Sequence, residues 1–360
     1  MTAPIETAYR ATDATGTEIH LNQPAQRIVC LTATGIDSLA ELGLEPIGYL
    51  SKGIAERPEF YGDRAQAFPS VGSWLLPNLK AIRRLQPDLI LGWTFPHRFY
   101  RHWLQKIAPT YLMGGSGYAL ALARLRDIAR LTGRVPTAEL AINQLEMRLE
   151  SYRTAIPENQ KKTVLMMGGS MLNRFSRRFI VETNQGTTGT ILQQLTHYPW
   201  LEPAGQRMEP GLMTVPLDRI LQANPDVIFV QTYPPSTTSL SQQLANHPDW
   251  KQLSAVQSGH VYEVDQFWHA GNGTRIIHIL LKQLLPLIYP DVSFDFPSQP
   301  KLPTGLRQKE LCEYFGLSYK AVAQTAKQLG LSTHAYVQQQ TGWCLRDERY
   351  YPPDDKAIAS

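Results

Sequence analysis

One hydrophobic pattern occurs twice in this 360-residue chain. Residues 79–90 and 217–228 align without a gap, 138 positions apart: Leu79, Ile82 and Leu85 match Leu217, Ile220 and Ala223, and Pro87-Asp88 matches Pro225-Asp226. Apolar residues at every third position predict a short amphipathic helix, and the proline stops it. The continuous apolar run after it predicts a strand buried on both faces. Two similar halves follow from the repeat.

Other segments fill both halves. Residues 27–31, 45–50 and 109–113 read as strands and 36–42 as a helix. In the second half 163–167, 179–182, 227–230 and 260–264 read as strands, with helices near 190–195, 217–223 and 275–288. This alternation predicts an α/β protein with mainly parallel sheets. One large doubly wound domain is the competing reading, and the repeat favours two lobes. Between them, residues 136–155 open with Pro136 in a first turn and carry Leu140, Leu145, Leu149 and Tyr152 among alternating charges. Twenty helical residues span about 30 Å, enough for a spine from lobe to lobe, and a helical spine permits only modest closure. The expected division is an N-terminal lobe at 1–118, a connecting region at 119–160, a C-terminal lobe at 161–290, a linker at 291–303 and a small all-α tail at 304–349.

Composition is that of an ordinary globular protein. A net charge of +4 from 35 basic and 31 acidic side chains is too mild to imply nucleic acid or an anionic membrane for the whole molecule. Three cysteines without C-x-x-C spacing argue against a disulfide framework or zinc ribbon. No window approaches the roughly 18 apolar residues of a membrane span. Residues 1–20 lack the apolar core of a secretory signal, so the chain as written is expected not to be exported.

Several segments together resemble a family. Arg27 to Leu31 followed by Asp37 to Gly48, the stretch from Asn78 to Ile90, and His247 to Val264 look like the periplasmic binding proteins of ABC importers for iron-siderophores and cobalamin. The resemblance covers about residues 9–290. It implies two lobes on a helical backbone, periplasmic location, capture of an iron chelate without catalysis, and an ABC permease as partner. Family members commonly carry a Glu in each lobe that docks on permease arginines. By register the second falls at Asp218 and the first at Lys80, where attraction becomes repulsion. Lys80 and the missing signal leave open a cytoplasmic relative that binds its ligand without delivering it.

In open α/β sheets the ligand lies beyond the carboxyl ends of the strands. Trp74, Trp93, Phe95, His97, Arg98 and Tyr118 in the first lobe, and Met171, Arg174, Tyr233, Trp268 and His269 in the second, follow predicted strands. Trp74, Trp93, Tyr233 and Trp268 offer flat walls, and Arg98 and Arg174 cations for an anionic chelate. Loop packing is the competing reading for any one tryptophan. A ferric siderophore is the expected ligand, with cobalamin or haem behind it; His97 and His269 are the candidate haem ligands. No intrinsic cofactor, metal site or catalytic residue is expected: the nine histidines are scattered, and no nucleophile elbow or phosphate loop occurs. In the tail, Leu311, Phe315, Gly316, Val322 and Leu329 are spaced as in a helix-turn-helix with residues 319–329 as second helix. Its basic excess is weak for DNA. Packing or protein contact is the equal alternative to a DNA-binding, ligand-responsive regulator.

Overall fold

The computed structural model describes residues 9–50, 53–168, 178–203, 211–231, 239–264, 272–294 and 305–352. The chain opens with an antiparallel hairpin of β1 (Tyr9–Thr12) and β2 (Glu18–Leu21). Asp13 in its loop accepts the Thr15 and Thr17 amides at 2.8 and 3.0 Å on one oxygen. The other oxygen takes Arg101 and the Leu112 amide, stapling the hairpin to the body.

The first sheet contains β3 (Ile28–Cys30), which leads into α1 (Ala33–Glu41), then β4 (Gly48–Tyr49). After α2 (Leu79–Arg84) come β5 (Leu89–Trp93) and β6 (Thr110–Met113). The order is β4-β3-β5-β6, all parallel. Next come α3 (Tyr118–Thr132) and the spine α4 (Val135–Ala155), which has proline in its first turn. The spine buries Ala138, Ile142, Leu145, Leu149 and Tyr152, each buried leucine contributing roughly 1.5–3 kcal/mol. Leu140 faces the other way, onto the tail core.

The second sheet is built from β7 (Val164–Gly168), β8 (Arg178–Glu182), β9 (Leu212–Pro216), β10 (Val227–Gln231) and β11 (Val261–Val264). Its order is β11-β10-β7-β8-β9. The first three are parallel, as expected, but β8 and β9 run antiparallel to their neighbours. Only residues 169–177 separate β7 from β8, fewer than the dozen or so that a parallel crossover needs. Helices α5 (Thr187–Leu195), α6 (Leu217–Ala223) and α7 (Thr274–Ile288) cover this half. The repeat is thus α2–β5 and α6–β10.

The tail forms α8 (Gln308–Tyr314), α9 (Tyr319–Gln328) and α10 (Thr333–Thr341). It is not all-α, which corrects the sequence expectation: β12 (Cys344–Arg346) and β13 (Arg349–Tyr351) close it as an antiparallel hairpin. Asp347 and Glu348 connect them, both in the left-handed region at φ 47° and 60°, as a tight two-residue hairpin turn requires. The hairpin buries Tyr350 with Leu311, Phe315, Val337 and Trp343. The tail docks on the spine: Arg134 donates to the Gln338 carbonyl at 2.9 Å and Thr137 to that of Thr341 at 3.3 Å.

Candidate functional site

The carboxyl end of the first sheet carries an aromatic surface. Trp74 is 41% exposed and Phe95 52%; their ring centroids lie 5.9 Å apart, and Phe99 continues the row 6.1 Å beyond Phe95. Leu75 and Leu76 are exposed beside Trp74. The exposed Arg98 lays its guanidinium 4.9 Å from the Phe99 ring centroid. A cation held against an aromatic row suits a ligand with flat, electron-rich, anionic faces.

What holds this row in place is His97, a residue expected as a cleft ligand. It is buried; Nδ1 accepts the Trp93 amide at 2.9 Å, and Nε2 lies 2.9 Å from the Trp74 carbonyl. A ring that accepts at Nδ1 donates from Nε2, so the neutral form fits. Burial, offset in part by the bond to Trp74, pushes this imidazole down to about 4. With both nitrogens occupied His97 is a bracket, not a haem ligand. Tyr100 adds a bond from its hydroxyl to the Leu75 carbonyl at 3.0 Å. The loop needs Gly72, at φ 103°, where a Cβ would sit 2.5 Å from the Leu76 carbonyl oxygen.

Trp93, expected as an open wall, is packed inside with the Arg124 guanidinium 5.0 Å from its ring centroid. Arg124 itself is buried, bonds the Gly114 and Gly115 carbonyls, and reaches Asn272 O at 3.3 Å. Desolvation, opposed by the neighbouring Tyr111, brings its pKa down to about 10, so it stays charged near neutrality. Arg124 is not among the residues expected at the site from the sequence. The signal was there: Arg124 falls on the stripe of Ala121, Leu125 and Ile128, where a charge has no ordinary place.

The two halves meet beside it. Thr187 donates to Asn272 Oδ1 at 2.7 Å and accepts the Gly117 amide at 3.2 Å; the Asn272 amide reaches Thr34 Oγ1 at 3.3 Å. Further back, the buried Asp37 accepts the Arg275 and Ile276 amides at 3.1 and 2.7 Å, capping α7 from α1. Arg275 returns the contact through the Glu59 and Ala40 carbonyls at 2.8 and 2.9 Å and Glu41 at 3.3 Å. Burial, with Glu41 adding repulsion, pushes Asp37 up to about 7. Glu182 caps α5 in the same way and is likewise pushed up to about 7 by burial.

Tyr118 is half-buried at the start of α3, its hydroxyl in the field of Glu146 on the spine; burial first and that charge second push it up to about 12. It packs on the main core and adds nothing to the aromatic row. Asp218 and Lys80 both lie exposed in the first turns of the matched helices α6 and α2. Met171, Arg174, Tyr233, Trp268 and His269 lie outside the described residues. The segments that carry them follow directly on β7, β10 and β11.

Fold and site together define a two-lobed binding protein. Residues 28–266 match the family model described as periplasmic binding protein, and the chain belongs to that family. The Fe(3+) dicitrate-binding periplasmic protein FecB of Escherichia coli (strain K12) is 30% identical over 269 residues, covering 72% of this chain and 84% of that one. The Fe(3+)-citrate-binding protein YfmC of Bacillus subtilis (strain 168) is 23% identical, covering 73% and 81%. Among solved structures, the triscatecholate siderophore binding protein FeuA from Bacillus subtilis, complexed with ferri-bacillibactin, aligns with a TM-score of 0.63 at 20% identity, over 78% of this chain and 97% of that one. Staphylococcus aureus SirA, complexed with staphyloferrin B, aligns at 0.61 and 18%, over 79% and 99%. The family match ends before the tail. No described helix is long and apolar enough to cross a membrane.

Proposed function

We propose that this chain captures a ferric chelate bearing carboxylate or catecholate groups and hands it to an ABC-type importer, working by binding and release without bond chemistry. The observation that carries the reading is the row Trp74–Phe95–Phe99 with Arg98 beside it, at the strand ends where an open α/β sheet receives its ligand. Relatives named for ferric citrate support the cargo class. The facing wall would come from the segments bearing Met171, Arg174, Tyr233, Trp268 and His269. Asp218 and Lys80 would be the two feet on the permease, one attracting its arginines and one not. The place of action is then outside the cytoplasmic membrane.

The test is titration of the purified chain with ferric citrate, a ferric tris-catecholate and the iron-free chelators, read by tryptophan fluorescence and calorimetry. One ferric chelate is expected to bind with the iron-free form weaker. Trp74→Ala and Arg98→Gln should each weaken it about tenfold, a loss near 1.4 kcal/mol. Binding by neither chelate, or binding untouched by both substitutions, would remove the basis for the proposal.

A further inference from the structure

Where the tail meets the body, the spine α4, the end of α1, the start of α7 and the tail line a half-open pocket of about 150 Å³. Neither Trp74, Phe95 nor Arg98 borders it, so it is not the aromatic mouth. Its walls are of two kinds. Phe315 and Trp343 from the tail and Leu140 and Leu145 from the spine form an apolar box, while Arg148 and His278 form a polar end. A cavity of this order accepts one benzene-sized ring.

The polar end is unsatisfied. His278 Nδ1 is buried without a hydrogen-bond partner, and so is the hydroxyl of Thr274, a residue only 4% exposed. Each atom is shut off from solvent and costs about 1–3 kcal/mol where it stands, so polar contact with an occupant falls to Arg148 and the rest of the His278 ring, which line the pocket. The charges facing His278 are positive: burial, then Arg148, Lys282 and Arg275, push its imidazole down to about 4. The one carboxylate among the described wall residues, Glu41, is already bonded to Arg275. Arg148 has no acidic partner among the described residues. A surplus cation beside an imidazole ring, with a flat apolar box next to them, suits a planar anion.

We propose that this cavity is a second binding site, for a small planar carboxylate whose carboxyl group lies between Arg148 and His278 and whose ring lies against Trp343 and Phe315. The guanidinium fork matches a carboxylate in two parallel bonds. The site does not depend on the cleft, so its failure would leave the chelate reading untouched. Because the tail supplies one wall and Arg275 of the interlobe tie another, an occupant would fix the tail against the part of the body that holds the lobes together.

Benzoate and its neutral isostere benzamide, titrated into the full chain by calorimetry and tryptophan fluorescence, test this. Benzoate should saturate one site and benzamide should bind at least about tenfold more weakly, the share of a charge-assisted bond. Arg148→Gln should lose benzoate by a similar factor, and Ala141→Phe, which fills the box without touching a charge, should abolish it. Both variants should unfold at the wild-type temperature and keep any ferric-chelate binding. No benzoate binding to wild type, equal binding of benzamide, or benzoate binding unaltered in both variants would each overturn the proposal.

Discussion

Asp37 has lost all contact with water and instead receives two backbone N–H groups of α7. Burial and the charge of Glu41 raise its pKa from 3.8 to about 7. A carboxyl whose folded value is raised contributes stability that is fully present below the unfolded value and is lost as pH rises through the folded one. Asparagine keeps the shape but takes no proton. Asp37→Asn should therefore cost about 1–3 kcal/mol at acid pH, where one amide bond weakens. That gap should narrow between pH 4 and pH 7, by at most about 1.4 kcal/mol per unit. Urea unfolding of both proteins across that range decides it, and a gap that stays constant or widens refutes the assignment. Single residues were the least legible part of the sequence. His97 follows a strand, which makes it a site candidate by sequence, but its role depends on the Trp74 carbonyl, 23 positions away, which no local pattern reveals. Arg124 was legible in principle, as a charge on an apolar stripe, and Asp37 was not, since its partners come from 238 and 239 positions along the chain.

Elements read better where their signal is local. Helix α6 begins and ends at the residues expected, Leu217 and Ala223, because apolar periodicity, Asn224 in the left-handed region and Pro225 all act within one turn. The hairpins were missed for the opposite reason. Strands of three or four residues such as β1 and β12 have too few positions to show alternation, and packing on α3 or the tail core decides whether they pair. The β12–β13 turn nevertheless makes a prediction. Glu348 sits at φ 60°, a conformation that costs a side chain about 1–2 kcal/mol. Glu348→Gly should relieve most of that against the added freedom of the unfolded chain, for a net gain of about 0.5–1 kcal/mol. The Tyr350 and Leu306 amides, which bond each other's carbonyls at 2.7 and 3.1 Å, report it. Their hydrogen exchange should slow in Glu348→Gly and quicken in Glu348→Val, and the reverse order would show that the turn is not strained.

At the scale of the molecule, two helical connections govern how far the lobes can part. The spine is one of them, visible in the sequence as a long charged helix with a buried stripe. The other is α7, expected from the sequence as a helix of the second half, which packs on α1 and α3 from the first half as well as on α4 and α5. Arg275 makes that second connection specific, since three groups of the first lobe take its guanidinium and Gly273 is held so close that any Cβ would lie 1.9 Å from Asp37 Oδ1. Arg275→Ala deletes these bonds while leaving both lobes' sheets intact, with a loss on the order of 2–3 kcal/mol in lobe–lobe attachment. Opened forms then become populated, and a ligand that needs both lobes binds more weakly by the fraction of molecules still competent, about tenfold for each 1.4 kcal/mol of bias. Small-angle scattering should show the unliganded variant expanded relative to wild type and returning to the wild-type profile on saturation with chelate. The wild type itself should change little, because a continuous helix and a capped one both resist bending. Expansion of the wild type on losing ligand, with no further change in Arg275→Ala, would mean that the lobes swing on the strands and that neither helix restrains them.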